Sequence, residues 1–145
     1  MNNLFNQLNN DLVNFKKHHK NIYNIYFHII CGLIFIPSLF LIFKKYSIIL
    51  LLIYYLLIIF TINNKIVSTI ILILVYIMLL ILNSLNLSTN KLGLIFILFY
   101  FLPELSHFLT KEATVLQMNN ITILSIFINI LYLLPFSILS LFNTN

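Results

Sequence analysis

The chain has 145 residues, of which 61% are hydrophobic and only 8% charged, with a mean hydropathy of +1.05. So apolar a chain cannot be wrapped into a water-soluble domain of this length, and the composition places it in a membrane. Its net charge of +5 is carried by lysines dispersed along the chain rather than gathered on one basic face, which excludes nucleic acid as a partner and favours loops beside anionic lipid.

Residues 1–20 carry Leu4, Leu8, Leu12, Phe15 and His19 at steps of 4, 4, 3 and 4, one stripe of an α-helix. With Asn, Gln and Asp opposite, this segment is expected to be an amphipathic helix lying on the bilayer. His19 ends the stripe and His18 points away from it. The segment is neither basic nor continuously apolar at its front, so it does not read as a cleavable signal peptide.

An unbroken helix through this region would put His19 and His28, nine residues apart, on opposite faces. The polar pair Lys20 and Asn21, with Asn24, supplies the break, after which Asn24 and His28 are i, i+4 neighbours on one face. The first span is expected at 25–43, bent at Pro37 and ending at Lys44 and Lys45. Spans two and three, 46–62 and 66–82, are joined by Asn63, Asn64 and Lys65, room only for a helical hairpin. Each is about 25 Å long at 1.5 Å per residue, close to a thin bilayer core. A polar loop over 83–91 leads to span four, 92–109, which contains Pro103, Glu104 and His107, and span five is expected at 121–142 with Pro135 inside. Cys31 is the single cysteine, so no intramolecular disulfide forms, and its apolar surroundings make it a small core residue. The fold class is therefore all-α: one polytopic helical membrane domain over 1–145, with about five membrane-embedded helices preceded by an amphipathic N-terminal helix.

Four crossings separate His28 from His107, so both imidazoles emerge on one membrane face, and the two polar islands are expected to meet in a single site. Lys16, Lys17, Lys20, Lys65 and Lys111 share that face against Lys44, Lys45 and Lys91 on the other, which makes the histidine face cytoplasmic by the positive-inside rule. On span four, Glu104 and His107 are i, i+3, a spacing by which helical iron proteins bring a carboxylate and an imidazole to one ion. An ionised Glu inside a span needs a partner, which makes Glu104 the preferred carboxylate, while Glu112 reads as solvated loop. Imidazoles with a carboxylate suit Fe(II), Mn or Zn, with a proton relay or merely interfacial histidines as the competing readings.

His19-x4-Asn24-x3-His28 followed by Gly32 and Pro37, and later Ser106-His107 leading into Lys111-Glu112-Ala113-Thr114, resemble the endoplasmic-reticulum 2-hydroxy-fatty-acid dioxygenase family in order and spacing from about residue 15 to 142. The late motif departs from the family pattern: Ser106 stands where the family has Gly, the Glu follows the late His by five residues instead of four, and the Pro of the family's Pro-Ala is missing. The resemblance implies Fe(II) held by His19, His28 and His107, with Asn24 orienting or closing the site; the i, i+3 spacing adds Glu104 as the carboxylate that would assist. It also implies use of O2 to shorten a 2-hydroxy fatty acid by one carbon, and residence in the endoplasmic reticulum. The alternative class is a non-catalytic helical membrane protein, a small transporter or scaffold, or an inactive divergent homologue. Matched broken segments in two halves, which a transporter usually shows, are represented only by Pro37 and Pro135.

Overall fold

The computed structural model describes residues 10–142 except 11, 14, 63 and 113–122, and describes the backbone alone for 123–129 and 142. Leu4 and Leu8 of the amphipathic stripe and Ala113 and Thr114 of the late motif lie outside the described residues. Residues 15–18 are helical and lead through 19–21 into α1, Ile22–Ile42. A 3-10 turn, Lys44–Tyr46, connects α1 to α2, Ser47–Thr61, followed by α3, Lys65–Ser84, α4, Thr89–Thr110, and α5, Ile123–Phe142.

The helix ends follow from local chemistry. Asn21 has extended backbone and its side chain accepts from the Tyr23 amide at 2.9 Å, so α1 starts at Ile22 and takes Asn24 inside it, three residues earlier than the apolar run begins. Asn64 does the same for α3, accepting from the Val67 amide at 3.1 Å. Pro37 removes one intrahelical donor from α1, and Ser38 next to it turns its hydroxyl back onto the Ile34 carbonyl at 2.7 Å. At the end of α4, Lys111 adopts left-handed backbone, φ 57° and ψ 31°, and reverses the chain so that the Glu112 amide reaches the His107 carbonyl at 3.0 Å.

Four helices are long and apolar enough to cross a membrane: Ile22–Ile42, Lys44–Thr61, Lys65–Ser84 and Thr89–Thr110. The protein is an all-helical membrane protein in which α1 is the hub, touching α2, α3, α4 and α5. More than half of the α1 span is buried within the protein, against about a fifth for α2 and α4, whose remaining apolar surface is left to lipid. The core along α1 is built from Phe35, Ile36, Phe40 and Leu41 against Tyr54, Ile71, Val75 and Leu134. Gly32 permits a close approach in this core: a Cβ there would stand 2.9 Å from the Leu134 Cβ, so α5 can lie directly on α1 next to His28.

In a background carrying Cys31→Ser, single cysteines at positions 20 and 111 should react with an impermeant thiol reagent from the same side of sealed vesicles, and cysteines at 45 and 91 from the other. Labelling of 20 and 111 from opposite sides would contradict this arrangement.

Candidate metal centre

Three elements each deliver one imidazole to the same end of the bundle. His19 comes from the segment preceding α1, His28 from the second turn of α1, and His107 from the last turn of α4. One ring nitrogen of each lies within 4.8 Å of one from the other two, and among the described residues this group contains neither Glu104, Glu112 nor His18. All three rings are withdrawn from solvent, with exposures of 5%, 2% and 1% for His19, His28 and His107. They meet nearly edge to face, with centroids 4.5 to 5.0 Å apart, and Phe15 stacks flat on His19 at 3.7 Å. Phe15 in turn packs with Tyr132 and Phe136 of α5, which seals the outer wall of the cluster.

The hydrogen bonds fix which nitrogens are free. Nδ1 of His19 lies 2.8 Å from the Phe15 carbonyl, and Nδ1 of His28 lies 2.8 Å from the Asn24 carbonyl. A carbonyl can only accept, so both Nδ1 atoms carry hydrogen and both Nε2 atoms present lone pairs. These two Nε2 atoms face each other at 3.2 Å. Two lone pairs at that distance repel unless a cation lies between them. A metal ion with imidazole bonds of about 2.1 Å would join nitrogens so spaced at an angle of roughly 100°, within the range of tetrahedral and octahedral sites. Nε2 of His107 is also buried and has no hydrogen-bond partner among the described residues. The donor set therefore fits a metal ion.

Burial, and after it the nearby His28 and His107, pull the pKa of His19 from 6.5 down to about 2, against the opposing bond to Phe15. His19 is thus held as the neutral imidazole that a metal requires.

The carboxylates are arranged differently from the sequence expectation. Glu104 shares α4 with His107, but its carboxylate stays out of the histidine group and its buried Oε2 has no hydrogen-bond partner among the described residues. Pro103, Ser106 and His107 form the buried arc of α4, and Glu104 projects about 100° round from Pro103, at the edge of that arc. Glu112, expected to be solvated, is the bound one. Its Oε1 accepts from the backbone amides of Lys20 at 2.6 Å and Asn21 at 2.7 Å, and its Oε2 accepts from Nδ2 of Asn24 at 2.5 Å. The carboxylate thereby satisfies donors at the N-terminus of α1, where the helix dipole also favours negative charge. Asn24 is fully buried, accepts the Ser106 hydroxyl at Oδ1, and donates from Nδ2 to Nδ1 of His107 at 3.3 Å. The sequence signal for Glu112 was the Glu that follows the late histidine in the family pattern, displaced here by one residue and returned to the site by the left-handed turn at Lys111. The i, i+4 step of the amphipathic stripe puts Phe15 on the face of His19, and the structure turns that proximity into a stacked cover.

Fold and site together define an all-helical membrane protein with a buried three-histidine cluster close enough to hold a metal ion. No family model, curated protein or solved structure matches this chain.

Removing three bonds to a charged acceptor is costly, so Glu112→Ala should lower the thermal stability of the detergent-solubilised protein by about 2 kcal/mol or more. Glu104→Ala should cost much less. Equal effects would contradict the capping role of Glu112.

The displaced pKa of His19 also has a sign. When residues 15–20 detach into water, His19 returns to about 6.5, so the detached state binds more protons than the closed one. The closing stability is fully present above pH 6.5 and is lost as pH falls, by about 2 kcal/mol at pH 5. Hydrogen exchange of residues 15–20 in metal-free protein, corrected for intrinsic rates, should accelerate below pH 6.5, and His19→Phe should remove most of that dependence. A flat profile from pH 7.5 to 5 in the wild-type protein would contradict the buried neutral state.

Proposed function

We propose that this protein is a membrane-embedded non-haem Fe(II) dioxygenase that shortens 2-hydroxy fatty acids by one carbon. The observation that carries the reading is the pair of bare Nε2 atoms of His19 and His28 facing each other at 3.2 Å beside the unpartnered Nε2 of His107. A three-imidazole set suits divalent iron and leaves coordination positions open. Fe(II) bound there would supply a Lewis acid for the carboxylate and hydroxyl of a 2-hydroxy acid and the redox chemistry that activates O2.

The chain's own residues do the rest. The backbone carbonyls of Phe15 and Asn24 orient two ligands through their Nδ1 hydrogens, as outer partners of metal-bound histidines commonly do. Asn24 holds His107, and the stacked Phe15 ring keeps water from the cluster. With the rings so deeply buried, a substrate reaches them only when residues 15–20 move aside. The apolar faces of α1 and α4 beside the site suit an acyl tail that already resides in lipid, and Lys20 and Lys111, both exposed near the site, suit its carboxylate. On this reading the histidine face is cytoplasmic and the membrane is that of the endoplasmic reticulum.

Ligands of one ion act as a unit, so single alanine substitutions at His19, His28 and His107 should each abolish iron binding and 2-hydroxy-acid turnover while leaving membrane insertion intact. His18→Ala, at a partly buried residue outside the cluster, should be mild. Iron content and product formation of protein purified in detergent and supplied with Fe(II) and O2 provide the measurement. Wild-type protein that takes up no iron and turns over no 2-hydroxy acid would return the chain to the scaffold or transporter class.

A further inference from the structure

His107 is held differently from the other two imidazoles, and the difference has a chemical consequence. His19 and His28 rest Nδ1 against carbonyl oxygens, whereas Nδ1 of His107 faces an amide group, that of Asn24. Which end of the amide faces the ring is set from behind. Nδ2 of Asn24 lies 2.5 Å from Oε2 of Glu112 and 3.3 Å from Nδ1 of His107, while Oδ1 takes the Ser106 hydroxyl. Turned about, the amide would set Oδ1 against Oε2 of Glu112, an acceptor against an acceptor. In the orientation seen, the two Nδ2 hydrogens have two acceptors, and every polar atom of this buried side chain is satisfied. Nδ1 of His107 therefore accepts, and its hydrogen sits on Nε2, the buried ring nitrogen without a partner.

We propose that Glu112, acting through the Asn24 amide, is the positioning residue that selects the tautomer of His107, so that the metal-free site offers two bare Nε2 atoms and one Nε2–H. The inference rests on the metal-centre reading and adds a control to it. His107 can become a ligand through Nε2 only by moving its hydrogen to Nδ1, and that nitrogen then needs an acceptor. The Asn24 amide must turn so that Oδ1 receives the Nδ1–H and Nδ2 donates to Ser106, whose single hydroxyl hydrogen then swings from Asn24 to the Pro103 carbonyl, 2.7 Å from its oxygen. The turn breaks the Asn24 link to Glu112. Loading the third imidazole is thereby coupled to the carboxylate that also ties down the amides of Lys20 and Asn21, immediately after His19.

Glu112→Gln tests this without removing the cap. Its carbonyl oxygen can keep the two backbone amides, while its NH2 group, in place of Oε2, asks Asn24 to present Oδ1. The substitution should invert the His107 tautomer. Histidine 15N spectra of metal-free protein in nanodiscs report tautomers directly, with assignment by single His→Gln variants. In the wild-type protein His19 and His28 should carry hydrogen on Nδ1 and His107 on Nε2, and in Glu112→Gln all three should carry it on Nδ1. Co(II) binding to Glu112→Gln should be roughly tenfold tighter than to wild type, because no hydrogen bond is broken on loading.

An Nδ1–H tautomer of His107 in the wild-type protein overturns the proposal, and so does an unchanged His107 tautomer in Glu112→Gln. If that variant does not fold, the wild-type spectrum alone decides. Tautomers as proposed in a protein that binds no Co(II) would uphold tautomer selection and sink the metal-centre reading instead.

Discussion

Everything at the histidine end of this bundle depends on one requirement: a polar atom taken out of water must find a partner inside the protein. The network there is nearly closed. The Nδ1–H groups of His19 and His28 go to carbonyls, the Asn24 amide uses its oxygen and both hydrogens, and Glu112 takes up the first free amides of the α1 terminus. What stays open are the facing Nε2 atoms of His19 and His28 and the unpartnered Nε2 of His107, on three rings packed edge to face. Among the described residues Tyr54 Oη and Glu104 Oε2 are also buried without a partner, but each stands alone, whereas three imidazoles converge at the histidine cluster, an arrangement that could hold a metal ion.

The same requirement explains the architecture that carries the site. Lipid solvates the outside of each helix as well as a neighbouring helix does, so α2 and α3 need bury only narrow strips, Leu51, Tyr54 and Ile58 on one and Val67, Ile71, Val75 and Leu79 on the other. α1 differs because it carries Asn24 and His28, which lipid cannot satisfy, and it packs against α2, α3, α4 and α5, leaving a face that includes Tyr23, Tyr26 and Ile30 exposed. α4 is exposed along most of its length; apart from Leu92 near its start, its buried residues are Pro103, Ser106 and His107 toward its end, where it meets Asn24 and His28.

Much of this was legible in the sequence because it rests on length and parity. Apolar runs of membrane length leave helices as the option, and an even number of crossings returns His107 to the end where His28 sits. The i, i+4 step placed Asn24 and His28 on one face because that relation is local. Orientation across helices was not legible. A step of i, i+3 puts Glu104 within reach of His107 along α4, but it cannot say which side of α4 faces α1, and that side proved to be the arc from Pro103 through His107. Glu112 was unreadable for a related reason: its partners, Lys20, Asn21 and Asn24, lie about ninety residues away, and it meets them through a left-handed turn at a lysine.

That turn also bears on how the junction is held together. A left-handed lysine costs on the order of 1 kcal/mol relative to ordinary backbone, and such a residue persists where its surroundings hold it in place. Here Glu112 does the holding, fastening the end of α4 to the start of α1 and to the segment that bears His19. On the proposed reading a metal ion would fasten the same three elements through His107, His28 and His19. Two fasteners at one junction allow an exchange that one would not. The Asn24 link to Glu112 can be given up as the third imidazole engages, because the ion then holds the elements together. When the ion is absent, the carboxylate keeps the site assembled with two lone pairs already in place. A centre built in this way would not rely on the metal to fold it, and it keeps a buried amide between its ligands and the left-handed turn at Lys111.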